Sequence, residues 1–391
     1  MSLSAAPPES CDVLIAGGGL AGLLLAAGLA NEKFSALRVC VIEPRLSYVR
    51  DRTWSYWRQA PHALSHLERH TWQHWSVAHA GRVIRSAADG WVYASVDADA
   101  VYVHALQKIQ AATHVQLLQG WKVQDDLGSE VSIVQIGSGA KKRILTQRVV
   151  DASARVKVHP SDLAQQFVGW EVRCDEAVLE PATVQLMHFE TSAHGLHFMY
   201  VLPYDAHRAL IESTWISPTS FLPDFDEELR HAVQQRLGTA RFETVYREQG
   251  SLPLLTPELP RDGVIRLGRS GAALRPSTGY AFLNTLAQVD RLLESWPKQA
   301  QGLANWQAPV MAISAAQRWM DGVFLRSLQS NWQAAPERFM NLFAQVQSDA
   351  LLRFLSGQES WADRWAVMRA LPALPYMQAA WQHSLGGIKH A

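Results

Sequence analysis

The stretch VLIAGGGLAGLLLAAGLA, Val13 to Ala30, carries no charge and approaches the length of a membrane span. Its flanks argue otherwise. Asp12 precedes it, no Lys or Arg lies upstream, and three successive glycines near its start make a poor core for a hydrophobic helix. A strand, a turn and a helix fit better: CDVLIA as a buried strand, then Gly17, Gly19 and Gly22 as G-x-G-x-x-G, then the helix LAGLLLAAGLA. A second apolar strand, LRVCVIEP, follows and ends at Glu43, about 20 residues past the last glycine.

Each part of this unit has a physical role. Gly17 allows the tight turn, Gly19 lets the backbone approach a pyrophosphate, and Gly22 lets helix and strand pack closely. The helix start offers free N–H groups and the positive end of its dipole to phosphates. Glu43, at the tip of the second strand, can accept hydrogen bonds from an adenosine ribose. The expected site is therefore one for a dinucleotide.

The pattern then departs from a domain dedicated to NAD. After Glu43 the chain runs through the irregular RLSYVRDRTWSYW and short strands such as GRVIRS and GWVYASV. Dinucleotide-domain elements resume with a helix near Ala100 to Ala112, the strand VQLL and the strand RVVDAS, ending near Asp151. Much later VIRLGRSGAALRPSTGYAFLNTLAQVDRLL repeats the order strand, loop, helix. The expected fold class is α/β: a Rossmann-like dinucleotide domain (10–55, 97–155 and 262–297) interleaved with a mostly antiparallel β-sheet domain (56–96 and 160–261), then a helical region (298–391).

Composition narrows the function classes. The chain has 391 residues, 48% hydrophobic and 18% charged, enough for a large core. Lys plus Arg equals Asp plus Glu at 36 each, so no overall field recruits nucleic acid. Cys11, Cys40 and Cys174 are few, separated and odd in number, which suits a reducing compartment and argues against a disulfide framework or a thiolate metal cluster. The 15 Trp residues suit core packing, membrane interfaces or cation-binding walls.

The split arrangement resembles the FAD-containing hydroxylase and reductase superfamily. Within it, the order of RTWSYW (Arg52 to Trp57), QQFVGWEV (Gln165 to Val172), VQLMHF (Val184 to Phe189), HFMYVLP, RALIESTW (Arg208 to Trp215), GSLPLL, PSTGYAF and FLSGQESWADRWAVM is similar to that of the bacterial flavoprotein lycopene β-cyclases, over nearly the whole length. Two positions depart from the pattern: His188 stands where the family often carries Asp, and the strand ending at Asp151 continues as ASA where a Gly or Ser followed by Arg is common. Arg269 follows Gly268 where many FAD hydroxylases place Asp, an acid that cyclases often lack. The resemblance implies noncovalent FAD, active when reduced at the expense of NAD(P)H, with Gly17, Gly19, Gly22 and Glu43 at its ADP half and Gly268, Pro276, Thr278 and Gly279 near its ring system. It also implies lycopene or a related acyclic carotenoid as substrate, isomerised without net redox change, and it maps the family's essential acid onto Glu212.

Within RALIESTW, alternation puts Leu210, Glu212 and Thr214 on one face and Ala209, Ile211, Ser213 and Trp215 on the other. An edge strand with its Glu212 face in water is one reading. The other is a buried acid kept neutral by an apolar pocket, as a proton donor to an alkene must be. Trp54, Trp170 and Trp215 could wall that pocket, or simply pack the core.

His62, His66, His70 and His74 recur every four residues, but TWQHW reads as a strand, so no metal site is expected there. The C-terminal region reads as Trp-, Leu-, Phe- and Met-rich helices from about Asn305, with breaks at Pro309, Pro336, Gly357, Pro372 and Pro375. It has no uninterrupted apolar span long enough to cross a bilayer. A helical cap or peripheral membrane contact remains open, and a bilayer-dissolved substrate favours contact, with a cytoplasmic protein on the inner membrane face.

Overall fold

The strand expected at Cys11 to Ala16 forms over Ser10–Ala16 and is buried on both faces, as suits an apolar run without alternation. The computed structural model of the chain describes residues 6–124, 127–153, 156–238, 240–255, 262–303, 306–308 and 313–388; Asn305 and Pro309 lie outside them. Ser10–Ala16 pairs in parallel with Val39–Glu43 on one side and Lys141–Asp151 on the other. Val115–Gln119 extends the sheet beyond Val39–Glu43, while the short Ile265–Arg266 joins in parallel beside Asp151. Antiparallel strands Glu130–Gln135 and Trp121–Val123 complete this seven-stranded sheet.

Helix Leu20–Leu29 is hydrophobic nearly all round because it is buried nearly all round, against the sheet and against helices Ala98–Gln110 and Phe282–Ser295. Its contact with the last of these depends on Gly28: a Cβ there would lie 2.2 Å from Leu293 Cδ1.

A second seven-stranded sheet runs in the order Phe242–Pro253, Leu163–Cys174, Arg208–Pro218, Leu196–Pro203, Thr183–Glu190, His74–His79, Arg82–Ala87. All its pairings are antiparallel except that of Thr183–Glu190 with His74–His79. A small sheet of Thr53–Arg58, Val92–Asp97 and His70–Trp72 is the third.

Arg208–Pro218 is a central strand, not an edge, and both its faces are covered. Ala209 and Ile211 pack with Val168 and Val172 against helix Phe225–Leu237. The opposite face looks toward the helices Ala335–Gln345 and Ser348–Leu355, which supply Phe339, Leu342, Phe343 and Leu355. The exposed-edge reading of Glu212 is therefore replaced by a buried one.

The C-terminal region is helical, over Ala315–Ser330, Ala335–Gln345, Ser348–Leu355, Trp361–Ala370 and Ala373–Ile388. Gly357 separates two of these helices and Pro372 precedes the last. Pro336 and Pro375 differ from the expected breaks: both sit in the first turn of a helix, where the missing N–H of proline costs no hydrogen bond.

Candidate active site

A cavity of about 700 Å³ runs from the glycine turn of the first sheet to the Glu212 face of the second. At the first end, Gly17 adopts φ +103°, and a Cβ there would lie 2.7 Å from Ala152 O. Gly22 is tighter still, since its Cβ would lie 1.9 Å from Gly17 O, whereas a Cβ on Gly19 would meet nothing within 4 Å. Gly19 is the N-cap of Leu20–Leu29 and no side chain caps the helix, so its first N–H groups face open space.

Glu43 is buried, accepts hydrogen bonds from Gly18 N–H (2.7 Å) and Arg45 N–H (2.9 Å), and pairs with the Arg45 guanidinium at 2.7 Å. Gly268, Arg269, Pro276, Thr278 and Gly279 line the same cavity. Gly279 has φ +72°, and a Cβ there would press on Gln165 Oε1 at 2.5 Å. The loop that carries it closes on itself through Gly279 N–H to Arg275 O (2.8 Å) and is pinned to helix Ala315–Ser330, where Asp321 accepts from Ser277 Oγ at 2.6 Å and pairs with the buried Arg275. Sequence reading did not single out Asp321, whose signal was only a lone acid within an otherwise amphipathic helix.

At the second end, Glu212, Thr214 and Ile216 face the cavity among Phe167, Leu186, Met187, Leu196, Phe198 and Leu252. Glu212 is 8% exposed. Burial pushes its carboxyl well above the ordinary carboxylate range, and the neighbouring Glu248 adds to the shift. Beside it Tyr200 and Tyr93 share a hydrogen bond of 2.9 Å, and Tyr280 lies against them; burial holds all three phenols up, hence neutral. An apolar wall, a buried acid whose neutral form burial favours, and electron-rich rings are thus juxtaposed.

Other acids are disposed differently. Glu171 is fully buried but bound by Arg50 (2.6 Å), Arg69 (2.7 Å) and Arg208. Burial pushes its carboxyl up, but hydrogen bonds and charge from Arg69 and Arg50 outweigh that and bring it to about 2. It is an anion in a structural ion-pair network. Asp205 is exposed in a turn, accepting from His207 N–H.

The structure does not bring all the expected aromatic wall together. Trp54 lines the cavity, packed edge-on against Tyr102 and near Phe282. Trp170 and Trp215 lie on the opposite face of the second sheet. Trp215 stacks on His197 and donates to Glu228 at 3.0 Å, while Trp170 packs with the Val168 and Ile211 cluster under helix Phe225–Leu237. Alternation explains it: Trp215 has the parity of Ile211, and Trp170 pairs with Ile211 across the strands.

The histidine series is likewise dispersed. His62 sits in a turn against Tyr56 OH (3.0 Å), His66 faces His104, His70 lies on one strand and His74 begins another.

A mixed sheet with a glycine-turn helix, joined to a second β-sheet through an elongated cavity, is a fold shared with a flavoprotein/dehydrogenase from Cytophaga hutchinsonii, on which the chain overlays with a TM-score of 0.63 at 13% identity, covering 97% of this chain and 100% of that one. Residues 12–381 match the family model described as lycopene cyclase protein, and the chain belongs to that family of enzymes. It is 29% identical to a lycopene β-cyclase of Paracoccus sp. over 93% of this chain and 95% of that protein. It is 24% identical to a lycopene β-cyclase of Pantoea ananas over 94% and 96%.

Proposed function

We propose that the chain is a lycopene β-cyclase that closes the ψ-ends of lycopene into β-rings by acid/base chemistry, using FAD reduced by NAD(P)H. The observation that carries this reading is the Glu212 carboxyl buried in an apolar wall of the cavity that begins at the glycine turn, where burial favours its neutral form. The dinucleotide end fits a flavin dinucleotide in two respects. Gly19 leaves the helix N-terminus open to a pyrophosphate, and Arg269 faces the cavity with no carboxylate paired to it among the described residues. Gly17, Gly19, Gly22 and Glu43 would hold the ADP half, and Gly268, Pro276, Thr278 and Gly279 the ring side. When bound in its reduced form the flavin supplies negative charge that favours a nearby cation.

The chain's own residues account for the rest. The apolar cavity excludes water, which keeps Glu212 protonated and stops water from trapping a carbocation. Glu212 delivers its proton to the terminal alkene, and the tertiary cation closes on the neighbouring double bond. The faces of Tyr200, Tyr93 and Tyr280 stabilise positive charge, and loss of a ring proton leaves product of unchanged mass. Expression in cells that accumulate lycopene tests the assignment. Cyclised pigments of unchanged mass are expected; products gaining oxygen or hydrogen would instead mark a hydroxylase or a polyene reductase, and retained lycopene without turnover a binding protein.

Peripheral membrane contact belongs to the same proposal. None of the helices among the described residues is long and apolar enough to cross a membrane. Trp361, Trp365 and Met368 recur at helical spacing on one exposed face, and Leu374, Met377 and Trp381 do so on the next helix. Trp361, Trp365 and Trp381 are 79%, 61% and 68% exposed, large aromatic surfaces that suit the interface of a bilayer holding the substrate. Flotation with neutral liposomes is expected for the native protein and is lost when these three tryptophans are replaced by Ser. Binding confined to anionic vesicles and abolished by salt would assign the contact to charge instead.

A further inference from the structure

Glu248 extends this reading of the site. It lies on the edge strand Phe242–Pro253, is 3% exposed, and has no place in the sequence pattern that singled out Glu212. The register puts the two acids in line: Gly169, at the centre of Leu163–Cys174, pairs with Glu212 on one side and with Glu248 on the other. Directly paired residues share a face, so both carboxyls stand on the same side of the sheet with only a glycine between them. A Cβ at position 169 would lie 2.8 Å from Glu212 Cγ and 3.3 Å from Glu212 Oε1. The side chain of Glu212 therefore occupies the space over Gly169, which brings its carboxyl close enough to that of Glu248 for each to shift the other's titration.

The oxygens of Glu248 are unequal. Oε2 accepts from Thr53 Oγ1 (2.8 Å) and Tyr246 OH (3.0 Å). Oε1 is buried and receives no hydrogen bond from any other donor among the described residues. Burial raises the Glu248 carboxyl, while two donors on one oxygen and the charge of Arg50 act the other way and favour its anion, and an orphaned buried oxygen facing an acid calls for a proton between them.

We propose that Glu212 and Glu248 form a one-proton dyad across Gly169, in which Glu248 is the positioning residue that accepts the Glu212 hydrogen bond through Oε1 and keeps Glu212 loaded. The balance closes without a co-reactant. The alkene π pair takes the proton from Glu212, the ring C–H pair becomes the new double bond, and the released proton returns to the dicarboxylate pair. A proton lost to solvent is replaced through Tyr246, which is half-buried on the same edge strand.

The groups facing the pair are few. Tyr200, with Tyr93 and Tyr280 behind it, and Tyr246 are all neutral because burial holds their phenols up. Arg50 pairs with Asp97 at 3.2 Å and Glu171 at 2.6 Å, lies over the Tyr246 ring and donates to Thr53, and its charge favours the anion of Glu248. Glu248 is then the nearest charge that can hold the proton on Glu212.

The test compares pH profiles of kcat for flavin-replete native enzyme, Glu212→Gln and Glu248→Gln. Cyclisation needs Glu212 protonated, so activity falls as pH rises through its titration. Removing a neighbouring carboxylate makes Glu212 more acidic, so in Glu248→Gln the alkaline limb moves to lower pH by about one unit or more, the separation expected of interacting carboxyls, while KM changes little. An alkaline limb unmoved in Glu248→Gln would overturn the dyad while leaving the Glu212 assignment intact; an active Glu212→Gln would overturn that assignment itself. Should Glu248→Gln fail to fold, infrared difference spectra of Glu212→Gln against native protein decide. Loss of one protonated-carboxyl band at neutral pH fits one shared proton, and loss of none overturns it.

Discussion

Replacing Glu212 by Gln is expected to lower cyclisation by about a hundredfold to ten-thousandfold or more, while flavin content and substrate binding persist. Gln keeps the volume and most of the hydrogen bonding of Glu but has no transferable proton. In solution water partly substitutes for a lost acid, but an alkene in an apolar cavity has no such recourse. Glu212→Asp keeps the acid and withdraws it by one methylene, so at most a trace of activity is expected, because proton transfer needs the donor in contact with the reacting carbon. The measurement is pigment formation with the flavin kept reduced, alongside the flavin absorbance of each variant. Near-native cyclisation by flavin-replete Glu212→Gln would move the search to Glu43 or a flavin-bound proton. Glu171 is already ionised by its arginines, and Asp205 stands in an exposed turn.

The second large effect separates two glycines of one fingerprint. At Gly22 an added methyl would meet the Gly17 carbonyl at 1.9 Å, a backbone atom that cannot turn aside. Gly22→Ala must therefore part the helix from the strand that it packs on. It is expected to abolish flavin retention and to destabilise the fold by several kcal/mol, about the cost of overpacking a tight core site or somewhat more. At Gly19 the methyl meets nothing within 4 Å. Gly19→Leu should fold with near-native stability and still lack flavin, because the new side chain fills the space that a pyrophosphate needs. Thermal unfolding together with flavin absorbance distinguishes the two. Equal destabilisation by both substitutions would mean that the glycine turn shapes the core and not a ligand site.

Much of this was readable from local chemistry. Gly17, Gly22 and Glu43 stand where strand, turn, helix and acid in register require them, because the spacing is fixed by covalent geometry along one unit of chain. The parity of Glu212 and Thr214 was readable for the same reason, but their burial was not: it depends on helices more than 100 residues later in the chain covering the strand. Parity also speaks against Trp215 as a wall of the Glu212 pocket, since it has the parity of Ile211. Glu248 escaped notice because its partner lies two strands away across Gly169, a relation that register creates and sequence spacing does not. Its one local trace is the alternation of Tyr246, Glu248 and Gly250 on one side of a strand, which begins four residues before the GSLPLL pattern.

The seat of Ile265–Arg266 beside Asp151 bears on how the chain assembles as it is made. When Asp151 leaves the ribosome, Ser10–Ala16 already has both its neighbours, yet the groove at Gly28 waits for Leu293, some 265 residues later in the chain. Until then an almost wholly apolar helix, Leu20–Leu29, stands partly uncovered while the entire second sheet is synthesised. At about 5–20 residues per second that wait lasts many seconds, long enough for such a surface to meet another nascent chain. The order of synthesis then bears on how much of this enzyme folds intact, and lower growth temperatures or holdase chaperones are expected to act on that interval.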